Sequence, residues 1–269
     1  ALANMVEPHQ AAYCHQLAHI EVDECGAPGF FTHGAKLILL EGEGAKISPE
    51  VIRQQMATIR NDVHQVQPAA VSITNATEYG LTYRSVEVAA LGAACQELGL
   101  SLHMDGARFA NAVASTGCHP GDVTHRANVK ALSFGFVKNG GMSAEALVFF
   151  DKALGDKARF MRKRAGHLQS KGRFLAAQLL AMLGKDLWLE NACRANEAAT
   201  ILAQAAAGRL LYPVEANELF LRLSAAEAQT LRDAGYDFYD WGESAARFVT
   251  SWHHCESDVA PLAKAISAL

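Results

Sequence analysis

Leu100-Ser101-Leu102-His103-Met104-Asp105-Gly106-Ala107-Arg108 decides the fold: an apolar run of strand length ends on an acid, and a Gly-Ala-Arg turn follows. Just upstream, residues 85–98 form an amphipathic stretch long enough to cross back over a sheet. Similar short runs stand at residues 11–14, 36–40, 70–74 and 130–134, alternating with helical patterns. That alternation predicts an α/β layer fold with a mainly parallel sheet. A further run, 146–150, follows 130–134 after a connection rich in Gly, Asn and small residues. Residues 135–145 are too few for a crossover helix, so the last two strands are expected to be antiparallel and the sheet mixed. Downstream, residues 151–185 read as one long helix interrupted by Gly166 and Gly172, and residues 187–206 as a second helix. A strand at 218–223, a helix at 225–234, a strand at 247–252 and a helix at 257–269 form a small α/β layer of their own. The expected division is a large domain over residues 1–185, ending in a long interdomain helix, and a small C-terminal domain over residues 186–269.

The 269 residues are 50% hydrophobic, enough for a substantial core. With 24 basic and 28 acidic residues, no Lys or Arg cluster is long enough to track a phosphate backbone, which argues against nucleic acid as a partner. Six scattered cysteines with no Cys-x-x-Cys pair read as reduced thiols of a cytoplasmic protein. No apolar run approaches the roughly 18–20 uncharged residues of a membrane span, so a soluble protein without membrane attachment is expected. The histidines contain no His-Glu-x-x-His, and Gly42-Glu43-Gly44 and Gly140-Gly141 do not complete a dinucleotide fingerprint. Neither a catalytic metal nor a nicotinamide is indicated.

In an open parallel sheet, ligands bind beyond the carboxyl ends of the strands, so Asp105 stands where a cofactor would lie. A cap for the helix beginning near Arg108 explains the same residue, since Asp is a preferred N-cap. Lys138 occupies the glycine-bounded turn Ser133-Phe134-Gly135-Phe136-Val137-Lys138-Asn139-Gly140-Gly141. A lysine on a turn is ordinarily solvated. Here Phe134, Phe136 and Val137 make the turn apolar, and partial burial favours the neutral amine that forms imines. An acid ending one strand and a lysine after the next are the pair that pyridoxal 5'-phosphate chemistry requires. The carboxylate keeps the pyridine nitrogen protonated and the amine holds the aldehyde carbon.

Three further segments extend the pattern around Asp105 and Lys138: His19-Ile20-Glu21-Val22-Asp23-Glu24-Cys25-Gly26-Ala27-Pro28, Arg247-Phe248-Val249-Thr250-Ser251-Trp252 and Arg162-Lys163-Arg164-Ala165-Gly166-His167. In this order, over nearly the whole chain, the motifs resemble those of low-specificity L-threonine aldolases, and most of all their phenylserine aldolase branch. The resemblance implies a fold type I enzyme of the β-eliminating lyase superfamily with pyridoxal 5'-phosphate as cofactor. It implies Lys138 as the Schiff-base lysine, Asp105 as the partner of the pyridinium nitrogen, and Arg108 as an arginine near the cofactor and the substrate carboxylate. Arg247 falls on the small-domain arginine that clamps that carboxylate, a task suited to the guanidinium fork. His19 falls on the histidine that stacks over the ring near the substrate hydroxyl. A strand-end salt bridge for Arg247 and a satisfied core histidine for His19 are the plain alternatives.

The implied reaction cleaves threonine, allo-threonine or phenylserine between Cα and Cβ, giving glycine and an aldehyde. His19 is the first candidate for the base, and Glu24 either orients it or is a surface acid. A β-eliminating or other amino-acid lyase on the same scaffold, and a catalytically idle relative, are the competing readings. In the family a Gly-Thr-rich turn at a helix start anchors the phosphate, and it precedes the segment that residues 1–5 resemble. The numbered chain is therefore expected to follow an N-terminal portion carrying that turn. Ser133 and a basic residue of 162–173, the latter reaching across a subunit interface, are further phosphate candidates. The resemblance also implies a homodimer or homotetramer with sites near the interface.

Overall fold

Runs of apolar residues bounded by turns become, in the computed structural model, which describes residues 1–269, a six-stranded sheet ordered β2-β1-β3-β4-β5-β6. The strands are β1 (Gln10–His15), β2 (Lys36–Leu40), β3 (Gln67–Thr74), β4 (Ser101–Gly106), β5 (Val129–Phe134) and β6 (Ala146–Phe149). The first five are parallel, and β6 returns antiparallel to β5. Six helices accompany them: α1 (Leu2–Met5), α2 (His19–Val22), α3 (Ala27–Phe31), α4 (Pro49–Ala57), α5 (Ser85–Glu97) and α6 (Phe109–Thr116). Ser48 caps α4 by accepting the Val51 N–H at 3.3 Å, with Pro49 at the first helical position, where its missing N–H costs nothing.

Side chains alternate across a strand, so the two faces of this sheet differ. Tyr13, Val71, Ile73, Leu102, Met104 and Leu132 enter a large core with Leu91 of α5 and Phe109 of α6. The opposite face carries Ala12, Ala70 and Ala131, which meet Leu2 and Met5 of α1. That second face is low because its residues are small. Toward the carboxyl ends of the strands it turns polar, with Ser72 beside His103 and then Thr74, Asp105 and Ser133 in register across β3, β4 and β5.

The stretch 151–185 differs from the single interrupted helix expected. It forms α7 (Lys152–Arg164) and α8 (Arg173–Leu183), because Gly166 at φ +78° and Lys171 at φ +62° take left-handed conformations that an α-helix cannot absorb. A short 3-10 turn then leads into α9 (Leu187–Ala205). Trp188 and Ala192 of α9 belong to the large core, while Ala198, Ala199 and Leu202 belong to a second core. That core also holds β7 (Glu218–Arg222), α10 (Ala225–Asp233), β9 (Ala245–Val249) and α11 (Glu256–Ser267), with the two-residue β8 (Tyr239–Asp240) at the edge of an antiparallel sheet ordered β7-β9-β8. The last strand starts two residues earlier than expected and stops at Val249, where Thr250 turns its hydroxyl to the Ala195 carbonyl at 2.6 Å. No helix is long and apolar enough to cross a membrane.

Candidate active site

At the carboxyl edge of the large sheet, Asp105 projects between Thr74 and Ser133. Its Oδ1 accepts the N–H of Ala107 at 2.9 Å, which fixes the Gly106-Ala107 turn, whereas the residue before α6 is Arg108. Asp105 is thus a turn-holding acid rather than the N-cap of the helix. Beneath it, His103 is fully enclosed: Ser72 Oγ lies 2.8 Å from Nδ1 and Ser133 Oγ 3.0 Å from Nε2. Burial pushes the His103 imidazole down to about 3, so it is neutral and carries one ring proton. If that proton is on Nε2, Ser133 accepts it and keeps its own hydroxyl proton for an anion.

The Lys138 turn is pinned from every side. Gly135 donates its N–H to the Gly106 carbonyl at 2.9 Å, and a Cβ at Gly135 would lie 2.5 Å from the Ala107 carbonyl oxygen, so only glycine permits this approach. The Glu145 carboxylate accepts the N–H groups of Phe136 at 2.6 Å and Val137 at 3.3 Å. Asn139 donates to the Trp188 carbonyl at 2.7 Å and accepts at its own carbonyl from Asn191 at 2.9 Å, tying the turn to α9. Gly140, at φ +101°, passes so close to Asn191 and Trp252 that a Cβ would meet them at 2.9 and 3.1 Å. Partial desolvation lowers the Lys138 pKa, the Arg108 guanidinium lowers it further, and the carboxylates of Asp105 and Glu218 oppose both. The amine and Asp105 are therefore near enough to interact, and the shift favours the uncharged amine. Val137 and Lys138 are exposed, however, so the apolar turn does not bury the lysine as its sequence suggested.

Arg108 and Arg247 also arrive there, but neither is without a counterion. Glu218, on β7 and 1% exposed at its side chain, accepts from both: Arg108 Nη2 is 2.7 Å from Oε1, and Arg247 Nη2 bonds the same oxygen. Arg247 faces the Tyr239 ring at 5.9 Å. Burial lowers the Arg108 pKa and Glu218 offsets this. The strand-end salt bridge that the sequence offered as an alternative for Arg247 exists, with a buried acid that sequence reasoning did not single out.

His19 stands in α2, half-buried, with Nδ1 3.4 Å from Asp23 and 3.8 Å from Glu24. Asp23 is thus the nearer acid, and Glu24 the second. A second unforeseen acid lies beside them. Glu78 accepts the Thr74 hydroxyl at 2.7 Å; burial raises its carboxyl to about 7, against the Thr74 bond and with some help from Asp105. Thr74-Asn75-Ala76-Thr77-Glu78 carries no motif that marks this acid; only its position four residues beyond a strand ending beside Asp105 could have done so. Ser133 lies in register with Asp105, while Arg162, Lys163 and Arg164 are exposed in the last turn of α7.

The chain's residues fit a flat, aromatic, anionic cofactor. Asp105 stands at the polar carboxyl edge of the sheet with Lys138 near it, and four buried polar atoms around them have no hydrogen-bond partner: Glu78 Oε2, Arg108 Nε, Arg247 Nε and Glu218 Oε2. An unpaired buried polar group costs about 1–3 kcal/mol, so such a concentration marks a place built to receive polar ligands.

Residues 1–226 match the model of the beta-eliminating lyase family. A low specificity L-threonine aldolase of a Pseudomonas species is 43% identical over 100% of this chain and 79% of its own length. Another from Pseudomonas aeruginosa is 45% identical over 94% of this chain and 74% of its own. Among solved structures, a threonine aldolase of Leishmania major superposes with a TM-score of 0.92 at 29% identity, covering 99% of this chain and 79% of that one. An Escherichia coli protein described as having methionine aminotransferase function superposes at 0.72 with 12% identity, a likeness of fold alone, that of the fold type I α/β enzymes. The chain belongs to the beta-eliminating lyase family, among its low-specificity L-threonine aldolases.

Proposed function

We propose that the chain is a pyridoxal 5'-phosphate-dependent carbon-carbon lyase that cleaves L-β-hydroxy-α-amino acids to glycine and an aldehyde, with threonine, allo-threonine and phenylserine as the substrate class. The observation that carries this reading is the meeting of a pKa-lowered, solvent-accessible Lys138 with Asp105 at the carboxyl edge of the sheet. Lys138 would hold the cofactor through its amine, Asp105 would pair with the ring nitrogen, His19 would cover the ring, and Ser133 would donate to the phosphate. When bound, the cofactor supplies a sink for the electron pair released as the Cα–Cβ bond breaks.

The protein's own groups do the rest. Arg108 and Arg247 receive the α-carboxylate through the donors that Glu218 leaves free. The β-hydroxyl proton must leave as the aldehyde forms, and His19 is the first candidate to take it. Glu78, poised near neutral, can hold or return a proton beside it. Partial desolvation and the Arg108 guanidinium lower the Lys138 pKa and so favour its neutral amine relative to a free lysine. The division into residues 1–185 and 186–269 then has a role, since the first supplies Lys138, Asp105 and Arg108 and the second Arg247. A homodimer or homotetramer is supported by Phe160, Phe174 and Leu180, large apolar side chains exposed at 79%, 63% and 72% on α7 and α8.

Incubation of the holoprotein with phenylserine or L-threonine is expected to yield glycine with benzaldehyde or acetaldehyde. Ammonia and a keto acid in their place would overturn the reaction assigned.

A further inference from the structure

Glu218 is an anomaly of its strand. Leu219 and Leu221 beside it fill the small-domain core, and Phe220 packs on Tyr79 and Trp241, yet an acid lies almost fully buried among them. Its side chain is held in place. Gly80, at φ +71°, lays its backbone against it, so closely that an added Cβ would sit 3.0 Å from Glu218 Cβ and 3.7 Å from Oε2. The neighbouring Asn217 donates to the Thr250 carbonyl at 2.6 Å, joining the start of β7 to the end of β9. The Gly80 backbone on one side and the two guanidiniums on the other confine the carboxylate.

One oxygen of this fixed carboxylate takes an Nη2 donor from each of two arginines, and the Nε of each remains unpartnered. Anchoring one corner of a planar fork sets the direction of its remaining donors. Charge matters as much as direction. Two guanidiniums alone present two positive charges; with Glu218 the cluster presents one.

We propose that Glu218 determines the specificity of the clamp: it orients Arg108 and Arg247 and leaves their pair one net positive charge, so that the site takes a single carboxylate and discriminates against dianions. The ligand class is then an amino acid with an uncharged side chain, and β-hydroxy amino acids carrying a second acid are excluded. This inference rests on the reading that these two arginines receive the α-carboxylate.

The test is calorimetric titration of the holoenzyme with acetate and with malonate, at constant ionic strength and about pH 8, where malonate is a dianion. For the unaltered protein, malonate is expected to bind no more than about threefold tighter than acetate. Glu218→Gln keeps an acceptor oxygen for both Nη2 donors but removes the charge, and should raise that preference at least about tenfold. Glu218→Asp keeps the charge and should keep the preference while weakening both anions. Arg247→Ala should lose both.

An unchanged ratio in Glu218→Gln, an altered one in Glu218→Asp, or full anion binding by Arg247→Ala would each overturn the proposal. Should Glu218→Gln not fold, the unaltered protein still decides, because a tenfold or greater preference for malonate contradicts a singly charged clamp. Heat of binding needs no turnover, so a failure to release glycine would refute the aldolase reading without being mistaken for a failure of this one.

Discussion

The lysine turn and the arginine clamp meet at one edge of the large sheet and are built by opposite means. The turn is held by contacts with the backbone: Gly135 against Ala107, Glu145 on two backbone N–H groups, Asn139 and Asn191 donating to backbone carbonyls. The clamp is held by charge, with Arg108 before α6, Glu218 on β7 and Arg247 on β9 converging on a single oxygen. A covalent anchor must be in register to within a fraction of an ångström, which backbone bonds and close packing deliver. A carboxylate receptor must tolerate arrival and departure, and paired guanidiniums with spare donors do this. The difference teaches that disturbing the turn should damage chemistry and folding, while disturbing the clamp should damage affinity.

The largest effect is expected at the electron-sink end of the turn region. Asp105→Asn keeps an oxygen for the Ala107 N–H but cannot hold a ring nitrogen protonated, so kcat should fall at least about a hundredfold, roughly 3 kcal/mol in the barrier. Steady-state kinetics with phenylserine measure it, and a loss confined to thermal stability would reduce Asp105 to a turn-holding role. Next is the clamp: Arg247→Ala should raise KM by about tenfold to a hundredfold, as loss of a charge-assisted bond worth roughly 1.5–3 kcal/mol implies, with the bound-cofactor absorbance retained. If kcat fell and KM did not, the contrast between the two regions would fail.

A purely steric change comes third. Gly135→Ala places a methyl 2.5 Å from the Ala107 oxygen, and is expected to cost about 1–3 kcal/mol in denaturant unfolding. Gly172→Ala, where a Cβ meets nothing within 4 Å, should cost far less.

The smallest effect concerns Glu78. Burial raises its folded carboxyl to about 7 from an ordinary 4.5, so ionising it disfavours the folded state. The penalty is absent below the unfolded value, grows between pH 4.5 and 7, and is complete above about 7. Glu78→Gln should therefore stabilise the cofactor-free chain at pH 8 by on the order of 1–2 kcal/mol, a figure discounted for residual solvent, and leave it unchanged at pH 4. Parallel stability curves for the two proteins would show that this acid titrates normally.

How much of this was legible in the sequence follows the same division. The parallel strands, the antiparallel return of β6 and the positions of Asp105 and Lys138 were readable because each depends on a short local run: apolar residues closed by an acid, or a lysine between glycines. The break between α7 and α8 was only half visible. Gly166 was noticed as an interruption, but the left-handed Lys171 that completes the turn has no local signature. Two-residue β8 has no periodicity to detect and exists because Tyr239 pairs with Arg247.

Glu218 and Glu78 escaped for a different reason. Alternation along β7 makes an acid at its first position look like a solvent-facing residue, and nothing near it in sequence announces two arginines from elsewhere. Likewise a salt bridge is an open alternative for Arg247 in the sequence, but its partner, and the fact that Arg108 shares it, are invisible to local pattern because Glu218 lies far along the chain from Arg108. His19 was found through the resemblance, yet its nearer partner, Asp23, follows from the i,i+4 spacing on α2.

The central claim is that Lys138 is the amine that holds the cofactor aldehyde. Borohydride reduction of the protein loaded with pyridoxal 5'-phosphate, followed by peptide mass mapping, tests it most directly. The account predicts a stoichiometric pyridoxyl adduct on the peptide containing Lys138, lost in Lys138→Ala; an adduct on another lysine, or none from a protein that binds the cofactor, would contradict it.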